Sequence, residues 1–400
     1  MKSKLKVFIS ITLVLCLTFL TSGCWDSREV ENLSVFTIIG GDWVTEDGVD
    51  QWQVSARVMH IGSLNQGSEQ AGGKGGGEET LWKGTGKTIQ EAFANIVVRS
   101  PRSPFYAHTS VYVLGERLAK EKLGEWIEGS KRYYEVRPHA YFMVTKGEAF
   151  QVLQAGPEIS PTLSKEVLEM NKQTIRQNGV SLDVTLAQFG AWLMSPDREA
   201  VLPAIKLIYP QELKGAEANG PNKAVAIEGL GVFRGTRLVG WLNREESIGS
   251  QLIMENRSSG AVFLQVDVDG RKFTYTLQRS KHKVKSSLVG DKPTFQVTIE
   301  TQGSVADPEE ETISTEELSR MEDAAAEKIR EIAFQAIDKA KEYDSDFLGF
   351  TEKLHRTNPS AWQKIEPHWR ESFQEADVDV EVKAKILDTG KSGPKLKLKQ

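Results

Sequence analysis

The feature that most limits the fold is one long amphipathic helix near the C-terminus. Ser314 is placed to cap it, and Glu317, three residues on, completes a capping box. Leu318, Met321, Ala325, Ile329, Ile332, Ala336, Ile337 and Ala340 then recur at steps of three and four as a continuous apolar stripe. Such a stripe has to be covered. A partner protein could do it, but the commoner use is to cover a sheet. A strand suited to that follows: "DVDVEVKAKIL" alternates strictly, with Val378, Val380, Val382, Ala384 and Ile386 on one side. "KFTYTLQRSKHKVKSS" and "TFQVTIET" read as further long strands, and "AVAIEGLGVFRGTRLVGWL" as a hairpin turning at Arg234 and Gly235.

The N-terminal half mixes its elements. "SVFTIIGGDWV" and "QWQVSARVM" read as two strands joined by a turn at "TEDGVD". Residues 62–79 are polar and glycine-dense, so they are expected to form a mobile loop, a contact surface or a tolerated insertion. A helix over 87–99, a strand over 108–114, a helix over 116–129 and a strand over 139–145 then alternate. Segment 147–208 reads as mostly helical, with helices near 161–177 and 184–194 and a strand in "EAVLPAIKLI". A polar, breaker-rich linker at 210–223 marks a boundary. The expected class is α+β, with two to three domains, each a mainly antiparallel or mixed sheet packed with helices. The expected division is a signal peptide at 1–23, an N-terminal domain at 24–155, a helical bridging or second domain at 156–222, a C-terminal domain at 223–390 and a basic tail at 391–400.

"WKGTGKTIQEAF" invites a nucleotide-binding reading, because Gly86, Lys87 and Thr88 resemble the end of a P-loop. The pattern needs a glycine five places before Gly86, and that place holds Leu81. It also needs a strand beforehand, and "QAGGKGGGEE" is unsuited to one. A turn followed by a helix starting at Lys87 and Thr88, with Ile89, Ala92, Phe93, Ile96 and Val97 on its apolar face, accounts for the stretch.

The chain opens "MKSKLKVFISITLVLCLTFLTSGC". Lys2, Lys4 and Lys6 precede an uncharged apolar run from Val7 to Leu20, then Ser22, Gly23 and Cys24, the layout of a secretory signal. The apolar run of 14 residues falls short of the ~20 that span a bilayer as a helix. "TSGC" is similar to a bacterial lipobox, in which the cysteine is lipidated, although Thr21 stands where leucine is usual. Cleavage without lipid and an uncleaved anchor are the alternatives. Of the two cysteines, Cys16 lies in the signal, so only Cys24 would remain, which excludes an intramolecular disulfide.

Removing residues 1–23 takes away three lysines and no acids, moving the net charge from −5 to −8. That balance argues against a nucleic-acid partner and a polybasic membrane patch. His60, His108, His139, His282, His355 and His368 show no metal-ligand spacing, and no nucleophile has an obvious base. No catalytic residue, metal or cofactor is therefore assigned.

"GCWDSREVENL" resembles the start of the spore germination Ger(x)C family, the lipoprotein C subunits of nutrient germinant receptors. "GKTIQEAF", "FYAHTSVYVLGERLAK" and "YYEVRPHAYFMVTKGEAFQVL" are similar to its N-terminal domain. "GVFRGTRLVGWLNREESIG", "DFLGFTEKLHRTNPSAWQKI" and "HWRESF" resemble its C-terminal domain. The resemblance implies an α+β fold of three sheet-centred domains, and lipidation at Cys24 on the outer face of the spore's inner membrane. It implies two integral membrane receptor subunits as partners. Trp25, Asp26, Arg28 and Glu29 would then orient the body at the membrane or contact a partner; packing at the start of the first domain is the other reading. An extracytoplasmic solute-binding lipoprotein that captures the nutrient directly is the alternative function. It requires an apolar pocket between lobes, and the long antiparallel-looking strands fit a two-lobed doubly wound protein poorly.

Overall fold

A computed structural model describes residues 32–60, 79–130, 137–209, 223–268, 270–306 and 314–388. The signal, Cys24, Trp25, Asp26, Arg28, Glu29, the stretches 62–78 and 210–222 and the 391–400 tail lie outside the described residues.

Leu33–Glu46 (β1) and Val49–His60 (β2) form the expected hairpin, turning at Asp47 and Gly48, both at positive φ. Glu79–Gly86 (β3) pairs antiparallel with β2. This corrects the reading of the segment before Gly86, because a strand does precede the helix and Glu79 belongs to it rather than to the loop. Ile89–Val97 (α1) starts two residues later than the sequence suggests. Thr88 is its N-cap, with Oγ1 accepting from Glu91 N at 3.1 Å. Ser103–Phe105 (β4) and Val111–Gly115 (β5) follow. The single helix expected over 116–129 is two, Glu116–Glu121 (α2) and Leu123–Ser130 (α3), separated at Lys122. Beyond the break Trp126 stacks on Trp52 and Phe93, with centroids 6.3 and 6.4 Å away.

Tyr141–Thr145 (β6), Ala149–Leu153 (α4), Leu163–Gln177 (α5), Leu186–Met194 (α6) and Val201–Ile208 (β7) complete the N-terminal half. Thr162 and Thr185 cap α5 and α6 as Thr88 caps α1. A threonine in extended geometry accepts with its side-chain oxygen from an N–H of the first turn while standing outside it. Ala224–Arg234 (β8) and Arg237–Leu242 (β9) form the expected hairpin, turning at Gly235 and Thr236 with Arg234 paired to Arg237. Arg244–Met254 (α7) carries a full Asn243–Glu246 capping box.

These strands make one nine-stranded sheet in the order β3-β2-β1-β5-β6-β7-β8-β9, with β4 on β1. Its centre, β1-β5-β6-β7, is parallel and its flanks antiparallel. β7 and β8 pair across the expected 210–223 linker, so the sheet is continuous there. The first ten residues of β1 are all buried, as a central strand covered on both faces requires. Phe36 and Ile39 face α1 and the main core; Ile38, Val111, Met143, Val152 and Leu163 form a second core under α4 and α5.

Val262–Val268 (β10), Arg271–Val289 (β11), Lys292–Ala306 (β12) and Asp377–Asp388 (β13) form the second sheet, in that order. β12 and β13 run parallel, so the chain between them must cross over. That crossover is Thr315–Glu342 (α8), Phe350–Thr357 (α9), Pro359–Ile365 (α10), a 3₁₀ turn at Glu366–His368 and Trp369–Glu375 (α11). The described residues thus hold two sheets rather than three. The stripe of α8 covers β13 and β10 and packs on α7. Met321, Ile329, Ile332 and Ile337 are buried, each contributing about 1.5–3 kcal/mol. Where α7 and α8 touch, a Cβ on Gly249 would stand 2.0 Å from Ile332 O, so only glycine lets the backbones meet. Ser314 Oγ accepts from Glu317 N as expected, while the Glu317 carboxylate lies 3.8 Å from Arg271.

Candidate functional site

Outside the carboxyl ends of β1, β5 and β6 lies an open crevice of about 480 Å³. There the chain leaves β1 toward β2 on one side and β5 toward β6 on the other, the place where open sheets bind ligands. Asp42 forms its floor. Oδ1 accepts from Ala149 N at 2.7 Å, and Oδ2 accepts from Phe150 N at 3.0 Å and Gln53 Nε2 at 3.2 Å. The carboxyl is 1% exposed, and burial outweighs these donors and pushes its pKa up to about 6. Gly115 makes room for it, since a Cβ there would fall 1.9 Å from Oδ1.

The crevice wall is charged but internally paired. Arg117 donates to Thr45 Oγ1 at 2.7 Å and Asp50 Oδ2 at 2.9 Å, and Thr45 donates to Asp50 Oδ1 at 2.5 Å. The Arg117 guanidinium and Thr45 hydroxyl hold the Asp50 carboxyl below its usual range. Burial pushes the Glu116 carboxyl up, but the Lys120 ammonium at 2.7 Å and Gly147 N–H outweigh it and keep it low. The result is a rigid polar rim rather than a ring of free ligand-binding groups.

A second constellation ties the two halves of the chain. Three successive residues ahead of β7 each hold the C-terminal crossover. Asp197 meets His355 Nδ1 at 2.6 Å, Arg198 donates to Glu352 at 2.7 Å, and Glu199 accepts from Arg370 at 2.6 Å. The second oxygen of Glu199 accepts from Gly235 N at 2.6 Å, and Glu199 N donates to Asp346 O. Asp346 is fully buried, with its pKa raised by burial, and accepts from the N–H groups of Gly349, Phe350 and Thr351 at the start of α9. Sequence spacing gives no hint of the three clamp pairs, because their partners are more than a hundred residues apart.

The P-loop-like corner is occupied by its own chain. Lys87 N donates to Glu91 Oε2 at 2.7 Å, and Thr88 caps Glu91. A Cβ on Gly84 would lie 2.4 Å from Ala92 O and one on Gly86 2.6 Å from Ala92 N, so both glycines bring α1 onto β3. Among the described residues no group of three His, Cys, Asp or Glu side chains could hold a metal ion, and no helix is long and apolar enough to cross a membrane.

The family models that match the chain meet between residues 207 and 228, inside the nine-stranded sheet. Residues 26–207 match the family model described as "Spore germination protein N-terminal domain", and residues 228–390 match "Spore germination B3/ GerAC like, C-terminal". The chain is similar to spore germination protein B3 of Bacillus subtilis (strain 168), 25% identical over 98% of this chain and 99% of that one. It is also similar to spore germination protein KC of the same organism, 24% identical over 96% of each. Its fold resembles the crystal structure of the GerBC protein with a TM-score of 0.56 at 19% identity, covering 90% of this chain and all of that one.

Proposed function

The chain belongs to the Ger(x)C family of spore germination proteins, and from that premise we propose that it is the lipid-anchored C subunit of a nutrient germinant receptor. In this reading it acts without catalysis. Acylated Cys24 holds the body on the outer face of the spore's inner membrane, where it assembles with two integral membrane subunits. One acyl chain binds membranes only marginally, so a second chain or a further contact has to reinforce it.

The carrying observation is the place where the described fold begins. Leu33 opens β1, one of the central parallel strands of the large sheet, nine residues after Cys24. A tether there reaches at most about 30 Å. It pulls on the amino ends of the parallel strands and turns the Asp42 crevice away from the lipid, about 30 Å along β1. The 197–199 clamp keeps the body one unit on that tether. Trp25, Asp26, Arg28 and Glu29 occupy the short stretch between, where they orient the body or meet a partner.

The test is nutrient-triggered dipicolinic acid release from spores carrying Cys24→Ala at the native locus, beside a deletion, with protein levels followed by immunoblot. Both strains should lose the response to one nutrient class and keep the others. Normal germination of the deletion with every nutrient would reject the assignment. Direct capture of the nutrient would use the Asp42 crevice; reproducible thermal stabilisation of the protein by a germinant would favour it.

A further inference from the structure

The register of the second sheet collects charge that the composition conceals. On β11, Arg279, Lys281, Lys283 and Lys285 alternate with inward residues and are all exposed. Through β12 they lie level with β13: Arg279 pairs with Gln302, which pairs with Lys385, and Lys281 pairs with Glu300, which pairs with Lys383. The opposite face, with Phe295, Val297 and Ile299, is buried under the helices. One solvent-facing surface therefore carries these six basic side chains in a chain of net charge −5.

Glu300, Asp379 and Glu381 lie among them, and Asp267 and Asp377 stand on the same face farther along β10 and β13; Glu381 pairs with Lys383 at 3.3 Å and Asp377 with Lys292 at 2.7 Å. Arg279, Lys281, Lys283, Lys285 and Lys385 form no ion pair among the described residues. Lysines often protect a sheet edge from pairing with another chain. Arg279–Lys285 lie beyond the reach of β10, which pairs only with Arg271–Leu277, so they also guard an open stretch of edge; their side chains nonetheless share one solvent-facing surface with Lys383 and Lys385.

We propose that this face lies against the anionic headgroups of the bilayer, as the further contact that a weak lipid anchor requires. The inference rests on the membrane-tethered reading above. Charge selects the occupant's sign, and shape selects its class. A protein partner needs aromatic or apolar anchors at the centre of the patch, and this centre holds only Lys, Arg, Gln, Thr and Glu. The exposed large apolar residues of the face, Phe263 on β10, Val289 on β11 and Leu387 on β13, stand at its rims. A planar, negatively charged surface needs only unneutralised cations held in a plane, and a tether that keeps it close.

The experiment is flotation of the full-length acylated protein with pure phosphatidylcholine vesicles and with mixed phosphatidylcholine–phosphatidylglycerol vesicles, at low and high salt. The wild type is expected to bind the anionic vesicles about tenfold more tightly at low salt. Combined Lys281→Glu, Lys283→Glu and Lys285→Glu should abolish that preference at an unchanged thermal midpoint. Lys172→Glu with Lys364→Glu, on exposed helices elsewhere, should keep it. Equal binding of wild type to both vesicles would overturn the proposal. So would a preference that survives the triple reversal; if the reversal instead abolished co-purification with the membrane subunits, the face would belong to an acidic protein. Phosphatidylcholine binding reports the anchor separately: its loss with the anionic preference kept would reject the lipid anchor and leave the face in place.

Discussion

Nδ1 of His355 lies 2.6 Å from Oδ2 of Asp197, joining residues 158 positions apart. The other Asp197 oxygen takes the Ser195 hydroxyl at 2.5 Å, and the imidazole lies flat on Trp362 with ring centroids 4.9 Å apart. His355→Ala would leave a buried carboxylate oxygen unpaired and uncover Trp362. We expect a loss of about 1–3 kcal/mol in urea unfolding, against a change within about 0.5 kcal/mol for His368→Ala on the exposed 3₁₀ turn. Equal effects of the two substitutions would mean that the contact does not hold the halves together.

Asp42 gives stability a particular pH dependence. Its folded-state pKa, about 6, lies above the ordinary carboxyl value, so between about 4 and 6 the folded protein binds the extra proton. Stability from this group is therefore present at the acid end, falls as pH rises through that window and is level above it. The drop is on the order of 3 kcal/mol relative to Asp42→Asn, whose profile lacks the component. Denaturant unfolding of both proteins at pH 4, 5, 6 and 7 reads it; parallel profiles would contradict the burial argument.

The glycines of "KGTGKT" are there for packing. Gly84→Ala should push α1 off β3 and cost about 1–3 kcal/mol or more. Lys87→Ala, on an exposed side chain, should stay within about 0.5 kcal/mol. ATP with magnesium should leave the thermal midpoint of the wild type unmoved; stabilisation that depends on Lys87 would restore the nucleotide reading.

Glu166 organises the loop before α5. Its carboxylate is 8% exposed and accepts from the N–H groups of Glu158, Ile159 and Ser160 at 2.9–3.0 Å. Glu166→Gln puts a donor where an acceptor is needed. Amide exchange at 158–160 should quicken and proteolytic cutting beside Ile159, which is 95% exposed, should rise. Unchanged exchange at these three amides would show that the loop is held by something else.

Local pattern was readable in the sequence to the extent that local physics decides it. The alternation at 378–386 and the α8 stripe are statements about one element and its buried face, and both elements form as read. Helix starts ran a residue or two early at Thr88, Thr162 and Thr185, because a cap and a first turn have similar residue preferences. β3 was hidden because glycines at 84 and 86, which serve its contact with α1, also read as loop. Asp42, Arg117, Asp197 and His355 carry no spacing signal, since parallel pairing and the clamp bring together residues far apart in the chain. The basic face was invisible for a different reason: net charge sums over a surface that the register divides.

The parallel pairing of β12 with β13 has a kinetic consequence. Thr294 finds its partner at Asp377 only after the whole helical crossover has been made. Contacts of such long sequence separation close late, because the loop entropy is lost before the pairing is gained. A chain that emerges N-terminus first can assemble the large sheet early, but the smaller one waits for β13. Until β13 arrives, β12 is an open edge with a greasy underside, and the final strand is the step that ends the protein's exposure to aggregation.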